Sequence, residues 1–473
     1  MTTLILVLAT TINVIPAVRS ERITSAVLPA EGYRLRIDAL GNALIEAADD
    51  AGRFYAGQTL AQLPRPLKAC EIEDWPTLKH RGIHLDESRH FFGKEVVKRI
   101  LDRMAQFKLN VFHWHLMDGA GNRFPLRKYP RMNTVGATRW RPYNRMRDTE
   151  FGVYGPFGYS PDDIAEIREY AKARYIRIIP EVEMPGHSEE VILAYPEFAC
   201  GTKDDVVLAH APLELRKGIS CISASAVCLG NDAVLKFFED VVDEVCELFP
   251  DADVIHIGGD ECSRDGWKRC RKCQARMKAN GIRDEDGLQE WFSRRMVAYL
   301  RSRGRRAAGW EEMARGDVGT DALVYSWLGG DAARQAAKAG HEVVMCSKYY
   351  CYLDNHQGLF DDGMSYPWWY DWRKVQPLTL EWVYSFDPFR GLSDDESRHI
   401  VGAQANNWTE LTETEKELEW KMWPRAMALA EVFWSGPRAR SFSDFISRAK
   451  PMREKLVSEG VNAAPVAYDG SAR

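Results

Sequence analysis

The chain has little of what would assign it at a glance. Ten cysteines in 473 residues are too few for a disulfide scaffold. No apolar run is long enough to span a bilayer as a helix. Neither sign of charge dominates: 63 basic residues against 68 acidic ones leave a net charge of −5, which gives no footing for nucleic acid or another polyanion. The one dense basic run, Arg301, Arg303, Arg305 and Arg306, falls at the end of a predicted helix, where cations offset the carbonyl dipoles of a solvated face. No glycine-rich phosphate loop opens a helix after a strand, which argues against a nucleotide-binding open sheet, and no cofactor is implied.

The cysteines that cluster do so in "CSRDGWKRCRKC", which holds Cys262, Cys270 and Cys273. A thioredoxin-type site needs its CxxC at a helix start after a strand, and that setting is missing. A zinc site needs a fourth ligand, and none stands nearby in the sequence, so no metal site is assigned and a disulfide or free thiols remain. Cys200 and Cys228 bracket a loop and would pair in an oxidising compartment. Leu4 to Ala9 is either the core of a signal peptide, without a basic segment before it, or an edge strand of a small domain.

What the chain does have is order. Residues 1–75 form a short α+β segment, with two alternating runs around Gly41-Asn42 and then the helical stretch "DAGRFYAGQTLAQL". Pro64, Pro66 and Pro76 punctuate the exit from this small α+β domain, which is either trimmed or truncated. From 76 to 473 strands alternate with helices. Eight strand candidates fall near residues 83, 112, 178, 255, 307, 324, 344 and 402, which predicts an α/β fold of the (β/α)8 TIM-barrel type. The stretch between Glu312 and Ala322 is too short and glycine-rich for one of the expected helices. The last helix is predicted as one piece, "EKELEWKMWPRAMALAEVFW".

Barrels of this kind place their chemistry at the carboxyl ends of the strands. Applied here, that rule gathers Asp86 and Arg89, Asp118, Glu183 and His187, Asp260-Glu261, Trp310, Trp327, Tyr352 and Asp354, and Trp408 and Glu410 at one mouth. No serine or cysteine sits there with a base, so a Ser-type triad is excluded. Flat indoles, one arginine and several carboxylates suit a sugar: aromatic faces for rings, charged groups for hydroxyls, and a carboxylic acid for a leaving oxygen. Adjacent Asp260 and Glu261 cannot easily flank one anomeric carbon as paired carboxylates do. If the substrate carries a 2-acetamido group, its own carbonyl oxygen attacks C1. Glu261 then serves as acid and base, and Asp260 holds the amide N–H and steadies the cation. A helix N-cap is the bland alternative for an Asp-Glu pair after two glycines. His187 is assigned a supporting relay role against a structural loop role. His113 and His115 share a strand face, but no carboxylate completes a metal set in the sequence, so they are core or supporting histidines.

The stretches "RGIHLDESRHFFGKE", "KLNVFHWHLMD", "PEVEMPGHS", "HIGGDE", "GWEE", "YLD" and "NNWTE" occur in order between about residues 80 and 435. Together they resemble glycoside hydrolase family 20, the β-N-acetylhexosaminidases. The resemblance implies a barrel preceded by a small α+β domain. It also implies an exo-acting, retaining glycosidase that frees terminal N-acetylglucosamine, or N-acetylgalactosamine, through an oxazolinium intermediate. Glu261 resembles the acid/base, Asp260 the acetamido-orienting residue and Tyr352 the tyrosine on the acetamido carbonyl, with Asp354 beside it. Trp310, Trp327 and Trp408 resemble an aromatic box, Arg89 and Glu410 the grip on ring hydroxyls, and Asp118 and His187 supporting positions. The partner implied is a glycan, a homodimer is allowed, and the expected location is periplasmic or secreted. Two departures stand out. The family usually follows the Asp118 position with a second Asp and Gln-Gly-Trp, whereas Gly119, Ala120, Gly121 and Asn122 stand here, which removes bulk and charge beside the pocket. Many relatives have Glu where this chain has Gln404. The alternatives are a relative releasing a disaccharide or a sulfated sugar, an inactive glycan-binding protein, and a metal-dependent barrel hydrolase.

Overall fold

The structure is a computed structural model that describes residues 13–19, 27–141, 152–200, 226–358, 377–436 and 441–466. Leu4–Ala9 lies outside these residues. Near the N-terminus, β1 (Tyr33–Ile37) and β2 (Ala43–Ala47) pair antiparallel as the alternating pattern predicts. The helix Asp50–Gln62 follows, capped by Asp49, whose side chain accepts the Gly52 N–H. A third strand, β3 (Cys70–Asp74), pairs with the other edge of β1 and was not anticipated. Its sequence, CEIED, is too polar to announce a strand. Its buried Asp74 is satisfied only in three dimensions, by Tyr33 Oη (2.9 Å), Lys108 Nζ (3.1 Å) and Trp434 Nε1 (3.0 Å).

The second unit is a closed parallel barrel. Its strands are β4 (His80–Asp86), β5 (Val111–Asp118), β9 (Arg177–Val182), β10 (Val254–His256), β11 (Arg306–Trp310), β12 (Leu323–Ser326), β13 (Glu342–Met345) and β14 (Ile400–Ala405). Three short strands intervene: β6 (Gly121–Asn122), which folds back on β5, and the ribbon of β7 (Arg139–Arg141) and β8 (Gly152–Tyr154). The order β4-β14-β13-β12-β11-β10-β9-β5 closes through β4–β5, so the eight predicted strands are the eight barrel staves. Both faces of each stave are covered, which is why the strands read as apolar runs. Val111, Ile179, Val254, Ala308 and Val344 fill the interior. The larger core lies between staves and surrounding helices, where Lys94–Gln106, Asp232–Leu248 and Glu285–Ser302 turn their apolar stripes inward.

After β11 only a 3-10 turn, Glu311–Arg315, occupies the place of the missing helix. The closing helix, predicted whole, is two: Glu415–Met422 and Arg425–Ser435. Pro424 cannot donate to the helical ladder and pushes Trp423 into extended backbone (ψ 132°). A further helix, Phe442–Ser458, was not anticipated. No described helix is long and apolar enough to cross a membrane.

Candidate active site

The chain after β10 must turn sharply to present Asp260 and Glu261, and Gly258 and Gly259 make that turn with φ of +61° and +103°. A Cβ on Gly258 would lie 1.7 Å from Glu183 Oε2, so only glycine fits. Glu183 Oε1 in turn accepts the Gly259 N–H (2.8 Å), and Gln289 Nε2 donates to the Gly259 carbonyl (2.7 Å). Glu261 itself is held at φ +46°, an uncommon conformation for a residue with a side chain and one of the places where backbone strain is stored.

One cavity at the carboxyl ends of the staves is lined by Arg89, His187, Asp260, Glu261, Trp327, Tyr352, Asp354, Trp408, Glu410 and Leu411. Nine of the eleven residues to which the family resemblance gave a role are therefore brought together. Trp310 and Asp118 do not line it. Trp310 is the last residue of β11 and points into the barrel, 1% exposed, where it donates its indole N–H to Glu181 Oε1 (2.9 Å) and backs Trp408 at a ring separation of 5.7 Å. Asp118 sits behind the lining, 3.0 Å from Arg89 and 3.6 Å from His187. The aromatic wall of the cavity is instead Trp327, Tyr352 and Trp408, with Tyr352 central, 6.4 and 6.3 Å from its neighbours. Leu411, which sequence reasoning missed, directly follows Glu410 in the same loop. Glu312, also missed, accepts from the Trp327 indole (3.3 Å) and fixes that ring.

The charges order themselves by contact. His187 Nδ1 faces Asp118, and its Nε2 lies 3.8 Å from Asp260 and 3.6 Å from Glu261. Burial disfavours a charged imidazole, yet Asp118, Glu261 and Asp260 together lift His187 to about 10. Burial also works against an ionised Asp118, but Arg89, His187 and His115 hold it well below the usual carboxylate range. Contact with the His187 imidazolium lowers Glu261, whose side chain is 48% exposed. Asp260 goes the other way: burial, reinforced by Glu312, Glu181 and Glu261 and opposed by His187, pushes it up to about 7. Its Oδ1 is buried with no hydrogen-bond partner among the described residues. Burial pushes Asp354 up to about 7, raises Glu410 and keeps the Tyr352 phenol protonated.

Arg89 anchors the opposite wall. It contacts Asp86 (3.2 Å) and Glu410 (3.6 Å) and lies over the Trp408 ring. Asp86 also accepts the backbone N–H of Ser88 and Thr409, which ties the loops after β4 and β14 together. Beneath the site, Glu181 contacts His113, His115 and His256. This supplies the carboxylate that the sequence argument found lacking beside the HWH motif, and His84, His113 and Glu181 lie close enough to share an ion. Against the cost of burial, Glu181 and Asp118 keep His115 protonated, while burial drives His113 down to about 4. Gln404 Nε2 donates to His113 Nδ1 (3.0 Å), which makes that nitrogen an acceptor and turns the other ring nitrogen toward Glu181. That is the place of Gln404.

A family model described as glycosyl hydrolase family 20, catalytic domain, matches residues 78–437, and one described as glycosyl hydrolase family 20, domain 2, matches residues 6–75. A beta-hexosaminidase of Porphyromonas gingivalis is 36% identical over 461 residues, covering 93% of this chain and 55% of that protein. One from Vibrio furnissii is 33% identical over 420 residues, covering 86% of this chain and 66% of that protein. The chain thus spans between about half and two-thirds of the length of these relatives. Among solved structures, a GH20 exo beta-N-acetylglucosaminidase from Vibrio harveyi in complex with N-acetylglucosamine superposes with a TM-score of 0.81 at 31% identity, covering 93% of this chain and 68% of that one.

Proposed function

This chain belongs to glycosyl hydrolase family 20, and on that premise we propose that it removes terminal β-linked N-acetylglucosamine, and N-acetylgalactosamine, from the non-reducing ends of glycans. The observation that carries the reading is Asp260. It is a carboxylate only 15% exposed, with one buried oxygen that lacks a partner among the described residues, held beside Glu261 in an aromatic cavity. An acetamido N–H satisfies that oxygen. Tyr352, kept protonated by burial, donates to the acetamido carbonyl and holds its oxygen under C1.

In the first step the carbonyl oxygen bonds to C1 as the C1–O bond to the aglycone breaks, and the leaving oxygen takes its proton from Glu261. The positive charge of the oxazolinium ion lies against Asp260, ionised at that point. In the second step Glu261, now a carboxylate, takes a proton from water as the water oxygen bonds to C1 and the oxazolinium ring opens. Two inversions at C1 give retention. Arg89, Asp354 and Glu410, which line the same cavity, bind ring hydroxyls of the terminal sugar.

The test compares p-nitrophenyl β-N-acetylglucosaminide with the plain β-glucoside. Cleavage of the first alone is expected. Cleavage of both would mean a protein nucleophile and would discard the acetamido-assisted route.

A further inference from the structure

Outside the catalytic cavity, four cysteines from distant parts of the chain converge. The bridge between Ala199 and Val227 sets Cys200 and Cys228 side by side, and the Cys228 N–H donates to the Phe198 carbonyl (2.7 Å). Against them lies the turn that opens the helix Arg271–Ala279, carrying Cys270 and Cys273. The fit is tight: a Cβ on Gly230 would lie 2.2 Å from the Lys272 carbonyl carbon, and the Trp267 indole donates to the Val227 carbonyl (2.8 Å). Cys200 Sγ is 3.5 Å from Cys273 Sγ, and Cys228 Sγ is 3.6 Å from Cys270 Sγ and 3.7 Å from Cys273 Sγ. All four sulfur atoms lie within 4.8 Å of one another, and no two are bonded.

We propose that Cys200, Cys228, Cys270 and Cys273 hold a structural zinc ion. Zinc bound to four thiolates at about 2.3 Å makes a tetrahedron with edges of about 3.8 Å, close to the spacings observed. A set of sulfur ligands alone excludes magnesium and calcium, and a closed set of four leaves no position for substrate. Binding releases four protons and leaves a complex of charge −2. Arg271 and Lys272 lie between Cys270 and Cys273, with Lys268, Arg269 and Arg276 on either side, so the segment that would carry this negative charge is basic. Cys270 sits at the N-cap of its helix and Cys273 in its first turn, so one short segment presents both sulfurs on the same side. The local sequence hid this site because its other half, Cys200 and Cys228, comes from within the β9–β10 crossover, on the other side of β10 in the chain. The ion pins the chain that follows His187 to the chain that follows Glu261.

The experiment uses the full chain, reduced in metal-free buffer, supplied with excess zinc and freed of loose ions by gel filtration. Elemental analysis is expected to find one zinc per chain. Cobalt in its place is expected to give the intense near-ultraviolet thiolate-to-metal charge-transfer band of a tetrahedral sulfur site. Cys228→Ser and Cys273→Ser should lose the metal, while Cys246→Ser, outside the cluster, should keep it. Should the first two variants fail to fold, the zinc content and cobalt spectrum of the unaltered chain decide the matter. Reduced protein that retains no zinc, or a cobalt form without the charge-transfer band, overturns the proposal. So does protein alkylated at lysis in which these four residues are already paired as disulfides.

Discussion

Replacing Asp260 with Asn tests the chemistry most directly, because it keeps the shape and an acceptor oxygen while removing the charge. A carboxylate about 4 Å from the oxazolinium cation, at an effective dielectric constant of about 20, contributes about 4 kcal/mol. That energy exists only once the charge has developed, so its loss appears in kcat as a fall of about 10³-fold. KM should move less than about fivefold, since the amide oxygen still accepts the acetamido N–H. The fall should be similar for nitrophenyl and alkyl aglycones, because the cation forms with either. The pH profile adds a second signature. With Asp260 at about 7 and Glu261 below its usual value, the pair holds a single proton through the interval between them. The reaction needs that one proton, on Glu261, so kcat/KM for the unaltered enzyme is a bell with its alkaline limb at about 7. In Asp260→Asn only Glu261 titrates, and the alkaline limb should drop below the ordinary glutamate value of about 4.3. Rates on both substrates across pH 4 to 8 check this. A variant within about tenfold of the unaltered enzyme, with its alkaline limb still at about 7, would refute the role of Asp260.

Glu261→Gln should lose about 10³-fold on alkyl glycosides, which need a proton on the leaving oxygen, and far less on nitrophenyl glycosides; equal losses would contradict its role as the acid. Tyr352→Phe removes one donor to the carbonyl that becomes the nucleophile and should lower kcat by about 10²-fold without moving either pH limb; a displaced limb would show that the phenol titrates in the working range. His187→Gln addresses stability. Folding raises His187 from an ordinary value near 6.5 to about 10, so its contribution is fully present below about 6.5 and is lost as pH climbs through 10. The shift corresponds to roughly 5 kcal/mol. Calorimetry should therefore show the gap in Tm between the unaltered chain and the variant shrinking from pH 6 to pH 9.5; a constant gap would mean that His187 is neutral in the fold.

The barrel was legible because each stave is buried on both faces and so writes itself as a short apolar run between amphipathic helices. β3 was not, since its charged residues find their partners on other elements: Glu71 and Glu73 pair with Arg36 and Arg34 of β1, and Asp74 with Lys108 and Trp434. The break at Pro424 stood in plain view, but the apolar period continues across it and masked the proline. In the site, the rule that catalysis lies at strand ends found most of the lining with no knowledge of contacts. It failed for Trp310 because that residue is the final member of its strand, with its side chain turned to the barrel axis, whereas Trp327 and Trp408 lie beyond theirs. The network around Glu181 and the cysteine cluster were unreadable for a shared reason: each is completed by residues on other elements, and local spacing carries no trace of that.

The departure after Asp118 shows how a local reading of what is missing goes astray. Gly119 in place of an acidic residue looks like lost bulk and charge. In the fold that volume is taken: a Cβ on Gly119 would lie 2.1 Å from Glu189 Oε2 and 3.0 Å from its carboxyl carbon. A Cβ on Gly121 would lie 2.6 Å from the Arg123 guanidinium. Glu189, 3% exposed at the start of the helix Glu189–Ala194, thus brings a carboxylate to the space beside position 119, where the family pattern puts one just after β5. The two positions exclude each other, which makes a coupling measurable. Gly119→Asp alone sets a second carboxylate and its carbon frame into occupied space and should destabilise the fold by about 2 to 4 kcal/mol. Glu189→Ala alone leaves a gap at the same spot. The double variant Gly119→Asp/Glu189→Ala should recover about 1 to 3 kcal/mol relative to the sum of the single changes, as contacting residues do. Denaturant unfolding of the four proteins closes the cycle. Strict additivity would mean that Glu189 does not fill the place of the family's acidic residue.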